Sequence, residues 1–577
     1  MKAGMNSILS RSPGFSGEAY ETFNSLPLKS QLEVLLQARG KGRLDYILLS
    51  EKPEEVVRAL PELEIFLTIQ EVGKEDALEL LTLTTPEQFQ YLVDLEVWKK
   101  DRLVPEKLLE WVEILMECGE EKFAQFLRSA DLEFIILILK KFIRVTKQEE
   151  ENSEKDGRPT PESLERLYFV HVKEEKARPL INRFLEKLLY LDMELYRRVM
   201  EGVIWELESG LEETEYRWRN GRLADLGFPD FEEALEIYRF INPQTMRLDG
   251  KTLFSGELGE PGLVPAFYLT FQEDGPFFST ALRRLDDPSE QDRIKAEIAA
   301  LGNKAIIAES TGGFSQEEIE RVGRKVFHYL NLGLQFLSTE KKAEPVDVLR
   351  SVSIQRVFQC GFSNTLLLKR KAEVIFEGPW FERNRGNLVF LDFPHREIFK
   401  GLLQKRPAFY RNGKYDDFKH VDDFREIESI LEMITASTHF IIDHLGLSSQ
   451  KLKEMDWRNC HPNRWQEITL STILLTSLGN QILKNIFLFE AIERNQLPIL
   501  LSCLFERVDE SRQIVKREVR DRVNQSFMSI TKEGGKRLSM MSFWDFCFGI
   551  LEQEYGRIPP GERIDLRFFK GFLIRRG

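Results

Sequence analysis

The residues best suited to chemistry in this sequence are charged side chains that recur between Glu208 and Asp225. They follow one another mostly at spacings of three and four residues, the period of one helix face. The set consists of Glu208, Glu212, Glu215, Arg219, Arg222 and Asp225. If this face lined a cleft, its carboxylates could transfer protons or hold a cation. If it faced water, each pair at helical spacing would contribute only about 0.2–0.5 kcal/mol.

Two features bear on the choice between a cleft and a solvated face. No His or Cys falls in the row, and carboxylates alone do not define a metal geometry, so we favour the solvated face. Trp205 precedes the row at the same spacing. A large aromatic side chain among charges indicates contact with protein or with a ligand. Both interpretations therefore stay open.

The row needs a helix to carry it, and apolar residues at the same period predict one. Their spacing favours a single long helix from about Leu195 to Asn220-Gly221, where residues tolerant of positive φ can end it. A short turn closed by Gly227 follows. Asp230 with Glu233 then forms a capping-box-like start for the next helix.

A second candidate lies near the carboxyl end. Arg512, Lys516 and Arg520 recur at every fourth residue beside Val515 and would form a basic stripe on a helix. Such a stripe could contact phosphate groups, although a solvated face is the simpler interpretation.

Aromatic and basic residues are interleaved between Trp380 and Tyr410. This pattern suits stacking on single-stranded nucleic acid, but it more often marks core aromatics beside a charged rim, which we favour for an acidic chain. His439 and His444 are five residues apart and share no helix face. Motifs of zinc proteases, phosphate loops, dinucleotide folds and serine hydrolases are lacking. The sequence therefore predicts no catalytic, metal-binding or cofactor-binding residue.

Composition is that of an ordinary globular protein. The chain has 577 residues, 42% of them hydrophobic and 30% charged, with a net charge of −13. This acidity makes nucleic-acid binding an unfavoured function. Five cysteines without a CxxC pair indicate a reducing compartment. The apolar run from Ile468 to Leu483 is too short to cross a bilayer, and the start of the chain lacks a signal-peptide core, so we expect a cytoplasmic protein without membrane insertion.

Composition and helix-start signals also predict a multidomain, mainly all-α architecture. The expected regions are a flexible arm (1–24), a superhelical domain of short helices (25–145), a charged linker (146–160), a helical domain (161–241), a Gly/Pro-rich crossing segment (242–276) and a helical carboxyl-terminal region of one or two subdomains (277–577).

Short helices that begin with a proline recur in the first domain. Lys52-Pro53, Thr85-Pro86 and Val104-Pro105 each place proline in the first helical turn, and Thr85 with Gln88 forms a capping box. Helices this short must stack on their neighbours, as in a solenoid.

The segment from Leu60 to Trp98 resembles the repeats of the superhelical domain of bacterial magnesium channels, and those of flagellar rotor switch proteins. The resemblance implies a regulatory or docking surface and no transport. The whole chain also resembles a bacterial family of unknown function, on the stretches GRLADLGFPDFEEALEIY and LDFPHREIFKGLLQKRPAFY. That resemblance implies no activity.

We therefore expect a non-catalytic adaptor or regulatory protein whose superhelical domain presents an acidic surface to a protein partner. The alternative is an enzyme or a binder of a small ligand or cation that uses the charged row from Glu208 to Asp225. Contact with nucleic acid through the basic stripe is a weaker alternative.

Overall fold

The computed structural model describes residues 17–99, 101–147, 167–248, 267–309, 315–378, 380–381, 388–508, 512–530, 534–557 and 570–576. Within these residues the protein is mainly α-helical, as predicted, with short β-hairpins between helices. Contacts divide the chain into two units. The first takes in the described parts of Met1–Arg239, Arg247–Leu330 and Leu337–Gln359, and the second those of Phe240–Met246, Asn331–Phe336 and Cys360–Gly577.

The first unit begins with short helices that pack on helices one to three positions away along the chain. They are α1 (Gly17–Asn24), α2 (Leu28–Gln37), α3 (Gly40–Leu48), α4 (Pro53–Ala59), α5 (Glu62–Val72), α6 (Leu78–Leu83), α7 (Pro86–Glu96), α8 (Pro105–Glu117), α9 (Glu120–Ser129) and α10 (Leu132–Phe142). The predicted prolines begin α4, α7 and α8, and the capping box of Thr85 and Gln88 is present. Helix α1 lies in the expected flexible arm, yet its Phe23 is fully buried.

Two antiparallel hairpins interrupt these helices. Strands β1 (Trp98–Lys99) and β2 (Arg102–Leu103) join α7 to α8. Strand β3 (Ile143–Lys147) follows α10 and pairs with β4 (Tyr168–Val172). Most of the predicted linker, residues 148–160, lies outside the described residues, and the strands on either side of it pair with each other.

The next helices carry the charged row. They are α11 (Arg178–Leu191), α12 (Met193–Trp205), α13 (Glu208–Asp225) and α14 (Phe231–Leu235). The prediction of one long helix was wrong: Glu206 has extended backbone (φ −74°, ψ 146°) and separates α12 from α13. Both helices pack against α10, and the break allows the chain to turn so that both reach it. Asn220 and Gly221 lie within α13 instead of ending it.

The end of this region follows the predicted local rules. Gly227 adopts a positive φ of 80° after α13. The Asp230 carboxylate accepts a hydrogen bond from the Glu233 backbone N–H at 2.8 Å and caps α14. In the predicted crossing segment, residues 249–266 lie outside the described residues. Phe267–Asp274, in the same predicted segment, is 3-10 helical.

The helices that follow are α15 (Pro276–Arg283), α16 (Pro288–Glu309), α17 (Gln316–Lys341), α18 (Pro345–Ser351) and α19 (Ile354–Phe376). Ser315 caps α17, since its hydroxyl accepts a bond from the Glu318 backbone N–H at 3.3 Å.

The second unit is built around α23 (Leu470–Lys484), the apolar run considered above as a membrane segment. Every residue from Leu470 to Asn480 is buried in protein. The other helices are α20 (His395–Leu402), α21 (Val421–Leu445), α22 (Ser449–Glu454), α24 (Leu497–Leu504), α25 (Arg517–Ile530) and α26 (Gly534–Tyr555). Helix α21 packs against α23 and α26. Its N-cap is His420, whose backbone N–H donates to the Asp423 carboxylate at 2.9 Å.

Short strands complete this unit. Strands β5 (Phe409–Arg411) and β6 (Lys414–Asp416) form a hairpin, as do β9 (Phe505–Arg507) and β10 (Gln513–Val515). Strand β11 (Ile574–Arg575) lies between β7 (Cys460–His461), to which it is antiparallel, and β8 (Ile492–Glu493), to which it is parallel.

Candidate functional site

Helix α13 turns part of its charged row towards the protein. Its buried residues are Leu211, Glu215, Arg219 and Leu223, which recur at every fourth position and therefore share one face. This face packs against α7, α10 and β2. Two leucines thus enclose two charged residues, and the prediction of a wholly solvated row was wrong at these positions.

Asp94 on α7 is the main partner of this face. Its side chain is fully buried, and its two carboxylate oxygens accept bonds from Nε and Nη2 of Arg222 at 2.7 and 3.1 Å. Such a two-point contact fixes both side chains, because the guanidinium plane matches the carboxylate. Arg222 Nη1 also reaches a carboxylate oxygen of Asp131 at 3.2 Å. One arginine therefore links α13 to α7 and to the start of α10.

Arg219 bonds the backbone of the same segment. Its Nε donates to the carbonyl oxygen of Asp94 at 2.8 Å, and its guanidinium lies 5.9 Å from the ring centre of Trp98. The carbonyl belongs to the last turn of α7, where helix carbonyls lack partners within the helix. Arg219 therefore stabilises the end of α7 as well as the contact with α13.

Glu215 completes what we call the buried charge network: Asp94, Asp131, Glu215, Arg219 and Arg222. One Glu215 oxygen lies 3.4 Å from Arg222 Nη2, while the other, Oε1, is buried and has no hydrogen-bond partner within the described residues. The network holds three carboxyl groups and two guanidiniums. The pKa of Glu215 is raised to about 7, chiefly by burial; Arg222 lowers it, and the neighbouring Asp131 and Asp94 raise it. A proton on Glu215 would balance the charges.

The earlier part of the row forms a second cluster. Lys141 on α10 contacts Glu208 at 2.7 Å and Glu212 at 2.5 Å. The hydrogen bonds from Lys141 hold the pKa of Glu208 below its usual range, although partial burial opposes this. Asp225 is exposed and lies outside both clusters. Of the six predicted residues, the fold therefore places three in the buried charge network and two on Lys141.

Trp205 does not lie in a cleft. Its side chain is 69% exposed, and its indole N–H donates to Glu201 at 3.1 Å. The same Glu201 accepts a bond from the Tyr168 hydroxyl at 2.6 Å and contacts Lys147 at 2.9 Å. These contacts hold α12 against the β3–β4 hairpin.

The buried charge network can hold helices together and can take up a proton. Its charged groups are turned towards one another, which makes it suited to fixing α13 on α7 and α10. Within the described residues, no group of three or more His, Cys, Asp and Glu has the arrangement of a metal site.

The predicted basic stripe is not formed. Arg512 precedes strand β10, Lys516 follows that strand, and only Arg520 lies in α25, so helical spacing does not apply to the three. Arg520 contacts Glu552 at 2.8 Å and Asp545 at 3.3 Å. Lys516 donates to the Ser502 carbonyl oxygen at 2.8 Å.

Helix α8 presents an acidic surface. The sequence led us to expect such a surface on this domain but indicated no residues for it. Glu106, Glu113 and Glu117 lie on one side of this helix and are exposed, while its opposite side is buried through Trp111 and Leu115. Glu120 and Glu121, both exposed, follow in the first turn of α9. We call these five glutamates the acidic face.

Sequence reasoning missed the residues that complete the buried charge network and the Lys141 cluster. Asp94, Asp131 and Lys141 come from segments far from α13 along the chain; Asp94 and Arg222 are 128 residues apart. The available signal was Asp94 itself, a charge between Val93 and Leu95 in an apolar stretch that is buried throughout.

The described structure is thus that of a mainly helical protein of two units with an internal ion-pair network. The chain belongs to the family of unknown function DUF6178, whose model matches residues 20–575. No curated protein and no solved structure matches the chain. No helix among the described residues has the length and apolar character needed to cross a membrane.

Proposed function

We propose that this protein is a non-catalytic helical adaptor or regulatory protein that binds a basic protein partner through its N-terminal helices. The observation that carries the proposal is the acidic face on α8 and α9. Glu113 and Glu117 lie one helical turn apart and are exposed. Fixed carboxylates on a helix attract a complementary basic surface and orient it during encounter.

The surrounding fold supports a docking role. The buried side of helix α8 is held in place through Trp111. The indole N–H of Trp111 donates to Glu96 at 3.0 Å, and the Lys74 ammonium lies 4.9 Å from the Trp111 ring centre. The acidic face is therefore carried by a rigid helix, which reduces the entropy lost on binding. The resemblance of Leu60–Trp98 to the superhelical domain of bacterial magnesium channels implies a docking surface and supports the proposal. We also propose that the protein is cytoplasmic.

The alternative of a reactive cleft in α13 has less support. Five of the six residues in the row bind other protein groups, which leaves Asp225 as the exposed member. Carboxylates already paired with lysine or arginine are less available to a substrate or a cation than unpaired ones.

The test compares the wild-type protein with a Glu113→Lys/Glu117→Lys variant as bait in nuclease-treated lysate of the native host. Bound proteins are quantified by mass spectrometry at low and high salt. We expect at least one basic protein to be retained by the wild type at low salt, and its recovery to fall about tenfold with the variant and with salt. A Glu213→Lys/Asp225→Lys variant of α13 adds the same charge elsewhere and serves as the control. Identical recoveries from all three baits would refute the proposal.

A further inference from the structure

The buried charge network has more carboxyl groups than guanidiniums, and Glu215 is the carboxyl left short of a partner. Arg222 lies 2.7 Å from Asp94 but 3.4 Å from Glu215. Arg219 donates its Nε to the backbone carbonyl oxygen of Asp94. The Oε1 atom of Glu215 is buried and has no hydrogen-bond partner within the described residues. An ionised Glu215 would therefore be a buried charge without full compensation, which is costly.

The elements packed around Glu215 place further charges near it. Asp94 on α7 and Asp131 before α10 both disfavour another negative charge, and Arg222 on the same helix opposes them. Two other charges on these elements are directed elsewhere: Lys141 of α10 contacts Glu208 and Glu212, and Arg102 of β2 is exposed. A rise in pH that ionises Glu215 should therefore favour separation of α13 from α7 and α10, because the carboxylate then reaches water.

The last turn of α7 connects this network to α8, the helix that carries most of the acidic face. Asp94 in that turn binds α13, and Glu96, two residues later, binds α8. The Trp111 indole N–H donates to Glu96, and Lys74 contacts both Glu96 and Glu110 of α8. A displacement of this turn would therefore act on both helices.

The β1–β2 hairpin makes a second connection between the two helices. The ring centre of Trp98 lies 5.8 Å from that of Tyr216 and 5.9 Å from the Arg219 guanidinium, both on α13. The Val104 backbone N–H, just before α8 begins, donates to the Val97 carbonyl oxygen at 2.8 Å. The segment that leads into α8 therefore packs on the helix that carries Glu215.

We propose that the buried charge network is a pH-sensitive switch: protonation of Glu215 holds α13 on α7, and its deprotonation loosens the last turn of α7 and, with it, helix α8. The consequence for docking rests on the proposed function. A basic partner should find the acidic face more firmly ordered at pH 6 than at pH 8, and should bind it more tightly at pH 6.

The test is amide hydrogen exchange of the full-length protein at pH 6 and pH 8, read in peptides that cover Pro105–Glu117. Rates are corrected for the pH dependence of exchange chemistry, and peptides from α23 in the second unit serve as the internal reference. In the wild type, local opening of α8 should rise about tenfold from pH 6 to pH 8, because burial raises the pKa of Glu215 from 4.5 to about 7.

Glu215→Gln cannot ionise, so its opening of α8 should change by less than about twofold over the same range. Glu213→Gln is the matched control, since Glu213 lies on the same helix with its side chain 72% exposed, and it should behave as the wild type does. Asp131→Asn is an independent check, because it removes a carboxylate that acts on Glu215 and should reduce the wild-type change.

The proposal is overturned if α8 opens equally at both pH values in the wild type, even where α13 responds, or if the pH dependence of α8 persists in Glu215→Gln. Circular dichroism at both pH values verifies that each variant is folded. Because the measurement needs no partner, its failure and that of the proposed function are distinguished by the separate recovery of basic proteins from lysate.

Discussion

Replacing Glu215 by Gln should stabilise the first unit, and the gain should depend on pH. The folded protein holds the Glu215 proton more tightly than the unfolded chain does, because burial raises the pKa from 4.5 to about 7. A carboxyl whose pKa is raised on folding makes its full contribution to the free energy of unfolding at any pH below its unfolded pKa. Its contribution to stability is then lost as the pH rises through the folded pKa.

The size of the effect follows from the same two pKa values. The difference corresponds to roughly 3 kcal/mol of unfolding free energy between pH 4 and pH 8. Gln is nearly the same shape as protonated Glu and cannot ionise. The variant should therefore match the wild type near pH 4 and exceed its stability by up to about 3 kcal/mol at pH 8.

Amide hydrogen exchange in peptides covering Glu208–Asp225, read by mass spectrometry at pH 5, 6, 7 and 8, measures the difference locally. Comparing the two proteins at each pH removes the pH dependence of exchange chemistry. Glu213→Gln is the control, because Glu213 lies on the same helix with its side chain 72% exposed. It should change stability by less than about 0.5 kcal/mol at every pH. A constant difference between Glu215→Gln and wild type from pH 5 to 8 would refute the assignment of a titrating carboxyl.

Two further predictions concern stability and can be checked by thermal unfolding. Asp94→Ala should cost about 3 kcal/mol, because it leaves the half-buried Arg222 guanidinium without its main carboxylate partner. Asp131→Ala, with a side chain 47% exposed, should cost less than about 1 kcal/mol. Equal losses would contradict the central place of Asp94. Gly302→Ala should destabilise the protein by about 1–3 kcal/mol, since the added Cβ would lie 2.2 Å from the Tyr268 ring. Gly221→Ala, where the added Cβ meets nothing within 4 Å, should instead stabilise α13 by up to about 1 kcal/mol. A gain in stability at both glycines would show that helix propensity and not packing decides.

Local sequence rules predicted the features that depend only on neighbouring residues. The capping box of Thr85 and Gln88, the cap at Asp230 and the positive φ at Gly227 are all present, because each is set by hydrogen bonds or sterics within a few residues. The mainly α-helical class was also predictable, since helical periodicity is repeated along the chain.

Features decided by distant contacts were not predictable in this way. Asn220-Gly221 reads as a helix end, yet packing of Leu223 keeps α13 continuous through it. The break at Glu206 has no glycine or proline to mark it. The burial of Glu215 depends on Asp94, more than a hundred residues away. A charged row at helical spacing has the same pattern whether it faces water or a partner helix, so only the tertiary fold separates the two.

The placement of β11 has a consequence for how the chain folds as it is made. Helix α23 is enclosed by residues that come about a hundred positions later: the Leu573 backbone N–H donates to Thr476 at 2.8 Å, 97 residues away, and Phe572 to Ile574 are almost fully buried. During synthesis, α23 emerges long before these residues exist. The apolar residues of α23 that these residues cover are then exposed to solvent or bound by a chaperone. Removal of residues 572–575 should therefore reduce the yield of folded protein more than their small number suggests.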